Sequence, residues 1–490
     1  MLTREGALTS IPDNRQHLLV GRGDGIVFAG LLVAICLLPL VKGGNREWLV
    51  MWFSVAIFAL LALWSMLFAA GRVCFARAIG PALPVISLWL LWLLYLVLQN
   101  MSWPVAAVES SAPFLYEHYS LLALVNQSLP DNLPFTVSTG ESRLYLVESL
   151  GYFFLFVLVL LTVRGTKRRQ FLAMTLVFSG LFQALYGTLF LLSGLESGWF
   201  GDVASPHKSA NGTFINRNHF AGYLQLTAAL GVGLVLADLT SQSATHWRAR
   251  FRNLFDFLLS DTVRLRVVIA LMVIALVLSR SRMGNIAFFN ALAAAGLIYI
   301  LLRERRLFFK ATLLFATFFL VDLFILGNWF GLDELVARLE ATRVSTEARV
   351  NVFPDLRRAA ESYWPFGSGG GTFYAAFTEF RSAGVSKLYY HAHNDYMEFL
   401  IETGIFGVLL LGGVVALVMI HALRLLVKRR DRLVGGVAFA GIMATIAMAI
   451  HATVDFNLQI PANAATYVVI LGLVMSCSVQ RRPSKAAALD

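Results

Sequence analysis

The chain has 490 residues, 58% hydrophobic and only 14% charged, and a mean hydropathy of +0.70. Soluble domains carry about 25% charged residues, so an ordinary soluble globular protein is excluded and an all-α polytopic membrane protein is expected. The net charge of +11 would point to nucleic acid in a soluble chain. Here the basic residues sit between apolar runs, so they report membrane orientation and no nucleic-acid partner is expected. Cys36, Cys74 and Cys477 lie in or beside apolar runs with no short paired spacing, which argues against a disulfide framework or a cysteine-ligated metal.

Residues 1–24 are polar, mixed in charge and unlike a cleavable secretory signal, so they read as a cytoplasmic tail. A spanning helix needs about 20 apolar residues. Twelve such runs follow, near 25–41, 48–70, 81–100, 144–163, 171–193, 218–240, 267–279, 284–302, 308–328, 396–423, 433–453 and 463–480. The seventh and eighth are parted only by Arg280-Ser281-Arg282, and merging them into one kinked helix would leave eleven. Loop charge decides for about twelve. The basic segments 164–169, 248–266, 303–306, 428–432 and 481–485 fall on one side, the cytoplasmic one, only if 280–282 is a turn on the other. Both termini are then cytoplasmic, with the bundle over 25–480 and a second tail over 481–490.

Three outer segments are long enough for chemistry: 101–143, 194–217 and 329–395. In the last, Leu332, Leu335, Val336 and Leu339 have the spacing of an amphipathic helix, and Trp364-Pro-Phe-Gly-Ser-Gly-Gly-Gly371 supplies a turn. That glycine turn could approach a phosphate, although glycine alone is an unspecific signal. Trp103, Tyr116, Tyr119, Trp199, Trp329 and Trp364 in these segments suit an interfacial belt, and aromatic faces also suit sugar rings.

Cations on the outer face are the informative residues. Arg280 and Arg282 stand where short loops avoid positive charge. Each either snorkels or pairs with an outer carboxylate, or belongs to an anion clamp, for which a guanidinium fork suits phosphate oxygens. Asn216-Arg217-Asn218-His219 opens the sixth span. Either asparagine can be an N-cap, but cations oppose the helix dipole there, so Arg217 and His219 imply a compensating anion. Arg349, in Glu347-Ala-Arg349, is either a solvated helix residue or a further clamp cation.

His391-Ala-His393-Asn394-Asp395-Tyr396-Met397-Glu398 opens the tenth span, with Asp395 and Glu398 at capping-box spacing and Asp395 as N-cap. The two histidines are interfacial, metal-binding or catalytic. No HExxH-like spacing supports a metal, and a histidine titrating near neutrality suits proton transfer. Glu402, one turn on, enters the apolar run and needs a partner, for which an arginine on a neighbouring helix is expected. Gly404 and Gly407 read as close helix packing. His451 and the polar turn Asp455-Phe-Asn-Leu-Gln-Ile-Pro461 are weak signals alone.

The run His391-Ala-His-Asn-Asp-Tyr-Met-Glu-Phe-Leu-Ile-Glu-Thr-Gly-Ile-Phe-Gly407 resembles the signature of the O-antigen ligase and O-antigen polymerase superfamily, bacterial enzymes that move glycans off a polyprenyl-diphosphate carrier. Asn216 to Leu224, Ser279 to Gly284, and Arg349 followed by Pro365 to Phe373 resemble its other blocks in the same order, so the resemblance covers roughly 215–460. It implies a GT-C-like helical bundle in the bacterial inner membrane, with a large helical periplasmic loop carrying part of the site. It also implies catalysis without a metal, cofactor or nucleotide sugar. Arg282 matches the arginine block best, with Arg280 beside it. His393, before Asn394, matches the key histidine, and His391 stays a second candidate.

The expected reaction is transfer of a glycan from undecaprenyl diphosphate to a sugar hydroxyl. His393 is the base; Arg217, Arg282 and Arg349 stabilise the diphosphate; His391, Arg280, His219, Asn394, Glu398 and Glu402 give support. Polymerisation of O-antigen or exopolysaccharide repeat units is favoured over ligation to lipid A core or to protein, since little chain follows Lys485 to hold an acceptor-recognition domain. Membrane lipid and chain-length or export proteins are the expected partners. A flippase or transporter would line a path through the bilayer with its cations, and often shows repeated halves, whereas here the unusual polar residues gather on the outer face.

Overall fold

The computed structural model describes residues 23–200, 208–239, 261–303, 352–382 and 388–477. Helices dominate them. In chain order they are α1 (Gly25–Leu37), extended by a 3-10 turn over Leu38–Leu40, α2 (Glu47–Ala69), α3 (Ile79–Asn100), the short α4 (Val105–Ser111) and α5 (Pro113–Asn126), α6 (Thr139–Thr162) and α7 (Gly165–Ser193). Then come α8 (Arg217–Leu239), α9 (Asp261–Leu278), α10 (Arg282–Leu302), the short α11 (Phe373–Thr378), α12 (Asp395–Lys428), α13 (Arg432–His451) and α14 (Pro461–Met475). Among the described residues, eight helices are long and apolar enough to cross a membrane, and Gly25–Leu40 and Pro461–Met475 are shorter apolar helices. The chain is therefore an all-α polytopic membrane protein, and among the described residues the strands are β1 (Ser102–Pro104) and β2 (Asn132–Pro134), one antiparallel pair with Trp103 opposite Leu133. The expected span at 308–328 and the amphipathic stretch 332–339 lie outside the described residues.

Burial sorts the helices. α8, α13 and α14 are apolar on every side and buried on nearly every side, while α2, α3 and α12 keep one face in and leave a broad apolar face outward, as lipid-facing helices do. α8 and α13 approach closely because glycines face each other: a Cβ on Gly233 would run into the carbonyl of Gly436. Lipid is as apolar as leucine, so this close backbone contact, rather than a hydrophobic drive, holds such helices together.

Arg280 and Arg282 do mark a real turn: α9 stops at Leu278, Arg280 takes φ +55°, and Ser281 caps α10 by accepting from the Gly284 N–H at 3.2 Å. The single kinked helix is ruled out. α10 carries Arg303 about 30 Å away at its far end, where basic side chains from several loops meet. There Arg168 grips the buried Asp24 carboxylate with two bonds of 2.9 Å, Arg169 donates to Ser476 Oγ at 3.1 Å, and Arg303 donates to the Arg429 and Asp431 carbonyls at 2.8 and 3.0 Å. The opposite end gathers the starts of α8, α10, α12 and α14: Ala462 N–H donates to Gly43 O, Ala210 N–H to Leu278 O and Asp395 N–H to Ala452 O.

Over that second end sits a small cap with its own apolar core, in which Val108, Leu115 and Leu133 pack with Leu356, Ala359, Tyr363, Phe373, Phe377, Ala392 and Ile401. Segment 101–143 and the described part of 329–395 thus form one layer rather than two separate loops. Trp103 belongs to this layer and donates to Leu98 O at 2.9 Å, and Tyr119 donates to Thr136 O at 2.6 Å, so both have structural partners.

Candidate active site

Three histidines from distant stretches converge on one phenylalanine. His391 stacks on Phe456 with centroids 4.2 Å apart and 16° between planes; His219 and His393 meet the same ring edge-on at 4.5 and 4.9 Å. Phe456 lies in the turn between α13 and α14, His219 in the first turn of α8, and His391 and His393 in the segment leading into α12.

Beside Phe456, the buried Asp455 turns one carboxylate oxygen to two of them: Oδ1 is 3.5 Å from His219 Nε2 and 3.7 Å from His393 Nδ1. These are ion-pair distances without hydrogen-bond alignment, and both ring nitrogens and Asp455 Oδ2 stand without a hydrogen bond. Burial by itself would raise the Asp455 carboxyl, but His219, His393 and His451 outweigh it and hold it well below the usual carboxylate range. His393 is the open member, its side chain 33% exposed against 4% for His219. Its φ of +50° is uncommon for a residue with a Cβ and sets the direction of the ring.

His391 is tied differently. Its Nδ1 lies 2.7 Å from Glu398 Oε1, while Glu398 Oε2 accepts the Ala392 N–H at 2.7 Å. Burial disfavours the charged ring, but Glu398, then Asp455 and Glu148, more than compensate and raise His391 above the usual histidine range. The arrangement favours the charged form of His391 and leaves His393 the more open ring of the Asp455 pair.

Several expectations are corrected here. The N-cap of α12 is Asn394, whose Oδ1 accepts from the Met397 N–H at 3.1 Å; Asp395 is the first helical residue, buried, and accepts from the Leu458 N–H at 3.2 Å. Asn394 also donates to Thr453 O at 3.0 Å, stitching the histidine segment to the Asp455 turn. Of the two asparagines at the start of α8, Asn216 is the cap, accepting from the Asn218 N–H at 2.9 Å.

Glu402 finds a backbone partner rather than an arginine: its Oε1 accepts from the Phe373 N–H at 3.0 Å. That amide opens α11, just after the glycine turn, and a helix N-terminus is a natural carboxylate site. The turn is itself bonded to α12: Gly369 N–H donates to Glu402 O at 2.9 Å, and Ser368 N–H to Ile401 O at 2.8 Å. Gly404 is also more than a packing glycine. It breaks α12 with φ +60° and ψ −171°, a conformation closed to other residues, and a Cβ there would strike the Pro365 carbonyl.

The arginines fall as follows. Arg217 and Arg282 each open a helix, and those helices pack one turn in: a Cβ on Gly284 would meet Ala221, and Gln225 reaches the Gly284 carbonyl at 2.5 Å. Gln225 Oε1 also lies 3.4 Å from His451 Nδ1, and Asn463 donates to the His219 carbonyl at 3.0 Å, tying the α8 start to α13 and α14. Arg280 sits in the turn before α10, and Arg349 lies outside the described residues. Among the described residues, no three or more His, Cys, Asp or Glu are grouped so that they could hold a metal ion. Asp455 and Phe456 are the residues that the sequence marked only weakly, as a carboxylate in a polar turn between two strongly apolar runs.

A family model described as O-antigen ligase matches residues 267–412, spanning the Arg280–Arg282 turn, the glycine turn and the segment from His391 to Glu402. No curated protein matches the chain. His219, Asp455 and Phe456 lie outside the matched stretch and reach the site only through the fold.

Proposed function

We propose a specific reaction from the match of residues 267–412 to the family model described as O-antigen ligase, which supports glycosyl transfer of the ligase and polymerase type in general. The protein transfers an oligosaccharide from undecaprenyl diphosphate to a sugar hydroxyl at the periplasmic face of the bacterial inner membrane, polymerising the repeat units of a surface polysaccharide. The observation that carries this reading is the Asp455 carboxylate facing His219 and His393 at the bundle end opposite the basic loops, beside the two helices opened by Arg217 and Arg282.

The attacking hydroxyl loses a proton as it bonds to the anomeric carbon, and His393 accepts it; Asp455, behind its Nδ1, stabilises the imidazolium formed. The C–O bond to the diphosphate breaks on the opposite side. The charge released there is met by Arg217 and Arg282, with Arg280, Arg349 and His391 assisting. No metal or cofactor takes part in this scheme. In-line displacement inverts the anomeric centre, and NMR of the new linkage checks this: retention excludes single displacement.

Ligation to lipid A core is the second reading, favoured by the description of the matched family itself. One reconstitution separates the two. Purified protein in liposomes receives only the lipid-linked repeat unit. A product ladder that vanishes in His393→Ala identifies a polymerase. Transfer that begins only when lipid A core is added identifies a ligase. No transfer under either condition removes the proposal. The lipid-linked glycan and the membrane are the partners this reaction requires, and chain-length or export proteins are proposed to join it.

A further inference from the structure

The cap carries an aromatic feature that neither the fold nor the proposed chemistry uses. Tyr374, on α11, and Tyr390, next in chain to His391, stack face to face with centroids 4.7 Å apart and 9° between planes. They are 38% and 64% exposed. Packing does not account for them, because their chain neighbours already seal this part of the cap: Phe373 and Phe377 are buried and stack at 5.1 Å, and Tyr389 meets Phe377 edge-on. Nor do they face lipid along a spanning helix, as most exposed apolar side chains here do.

Their position gives the pair a direction. From the bundle toward the cap the order is His219, Phe456, then His391 and His393, then Tyr389 at 6.1 Å from the His393 ring, and beyond it α11. Arg217 and Arg282 open α8 and α10 of the bundle, whereas the tyrosine pair stands among the cap residues Phe373, Phe377 and Tyr389. In an in-line displacement the anomeric carbon lies between the leaving diphosphate and the attacking hydroxyl, so the base and the acceptor share the side away from the phosphates.

We propose that Tyr374 and Tyr390 form a carbohydrate ledge that holds a sugar ring of the acceptor glycan, presenting its hydroxyl to the histidine segment. The chemistry is that of a flat aromatic face against the C–H face of a pyranose, which needs the ring and not the phenol hydroxyl. This rests on the glycosyl-transfer reading above and adds which substrate binds where.

The test uses the full protein in liposomes with the undecaprenyl-diphosphate-linked repeat unit as donor. The acceptor is a repeat-unit oligosaccharide on a short alkyl aglycone, which has no diphosphate and can only accept. Tyr374→Ala and Tyr390→Ala are each expected to raise the acceptor KM about tenfold, the scale of one aromatic contact. The donor KM and kcat should stay within about twofold, and Tyr390→Phe should behave as wild type. Unchanged acceptor KM in both alanine variants, a rise in donor KM instead, or a phenylalanine variant as impaired as alanine would each overturn the ledge while leaving His393-dependent transfer standing. If wild type transfers nothing, the reaction itself fails. Calorimetric titration of the same oligosaccharide then still decides the ledge: binding weakened by Tyr390→Ala supports it, and equal binding overturns it.

Discussion

Asp455 bears more of the site than any residue that its local sequence advertises. Its charge faces two histidines, so Asp455→Asn should lower kcat by about 100-fold, the usual scale for a disabled proton-transfer group, with membrane insertion intact; near-wild-type turnover would place the carboxylate outside the reaction. A planar fork grips phosphate oxygens where a point charge cannot, so Arg282→Lys should lose most activity, and full activity would take Arg282 out of the clamp. His391 and Asp455 also set opposite pH limits on stability. His391 is raised, so its pairing with Glu398 contributes fully below the ordinary histidine range and is lost as pH climbs through the raised value. Asp455 is lowered, so its contribution is present above the ordinary carboxylate range and disappears as pH falls through the lowered value. Melting curves in detergent should therefore decline on the alkaline side in wild type and flatten there in His391→Asn; identical alkaline limbs would contradict the pairing.

At the scale of elements, the break in α12 positions the site. Tyr95 and Gln99 on α3 both donate to the Phe366 carbonyl, at 2.6 and 2.7 Å, and the Ile405 N–H donates to the Pro365 carbonyl at 3.1 Å, so the glycine turn, α3 and the interrupted helix form one joint. Gly404→Ala should cost about 1–3 kcal/mol from backbone conformation alone, with a further loss from the clash at Pro365, and should be seen as a lower melting temperature. A variant melting with wild type would show that the break is not needed. The element boundaries were legible where apolar runs were long and polar residues ended them, and α8 starts at Arg217 as the Asn216 cap signals. Gly404 shows the limit. A lone glycine in an apolar run reads as helix packing, because the residue that makes its freedom necessary, Pro365, is far away in sequence.

For the whole molecule, the two ends of the bundle are chemically distinct, and orientation follows from which end carries the basic loops. Cys74 is exposed and lies at the basic end, where Arg164 donates to its carbonyl. A membrane-impermeant maleimide should leave Cys74 unlabelled in intact spheroplasts and label it after permeabilisation. In a cysteine-free background, Tyr390→Cys should label without permeabilisation. The reverse pattern would place the histidine cluster on the cytoplasmic face and undo the proposed donor geometry.

Hydrophobic run length and loop charge are local properties, and they by themselves determined that this protein is a multi-pass helical bundle, that Arg280–Arg282 is a turn, and that its unusual polar residues gather at one end. The motif around His391 and His393 likewise lay within one short stretch, so the family resemblance could be read there and the family match covers it. Tertiary structure alone decided what those residues meet. Phe456 joins histidines from α8 and from the start of α12, Asp455 faces His219 from more than 200 positions away, Glu402 turns to the Phe373 backbone, and the cap merges two loops into one core. The physical reason is that a buried charge or dipole is satisfied by whatever the packed helices bring within about 3 Å, and that partner is set by the bundle's three-dimensional register, which no local spacing records.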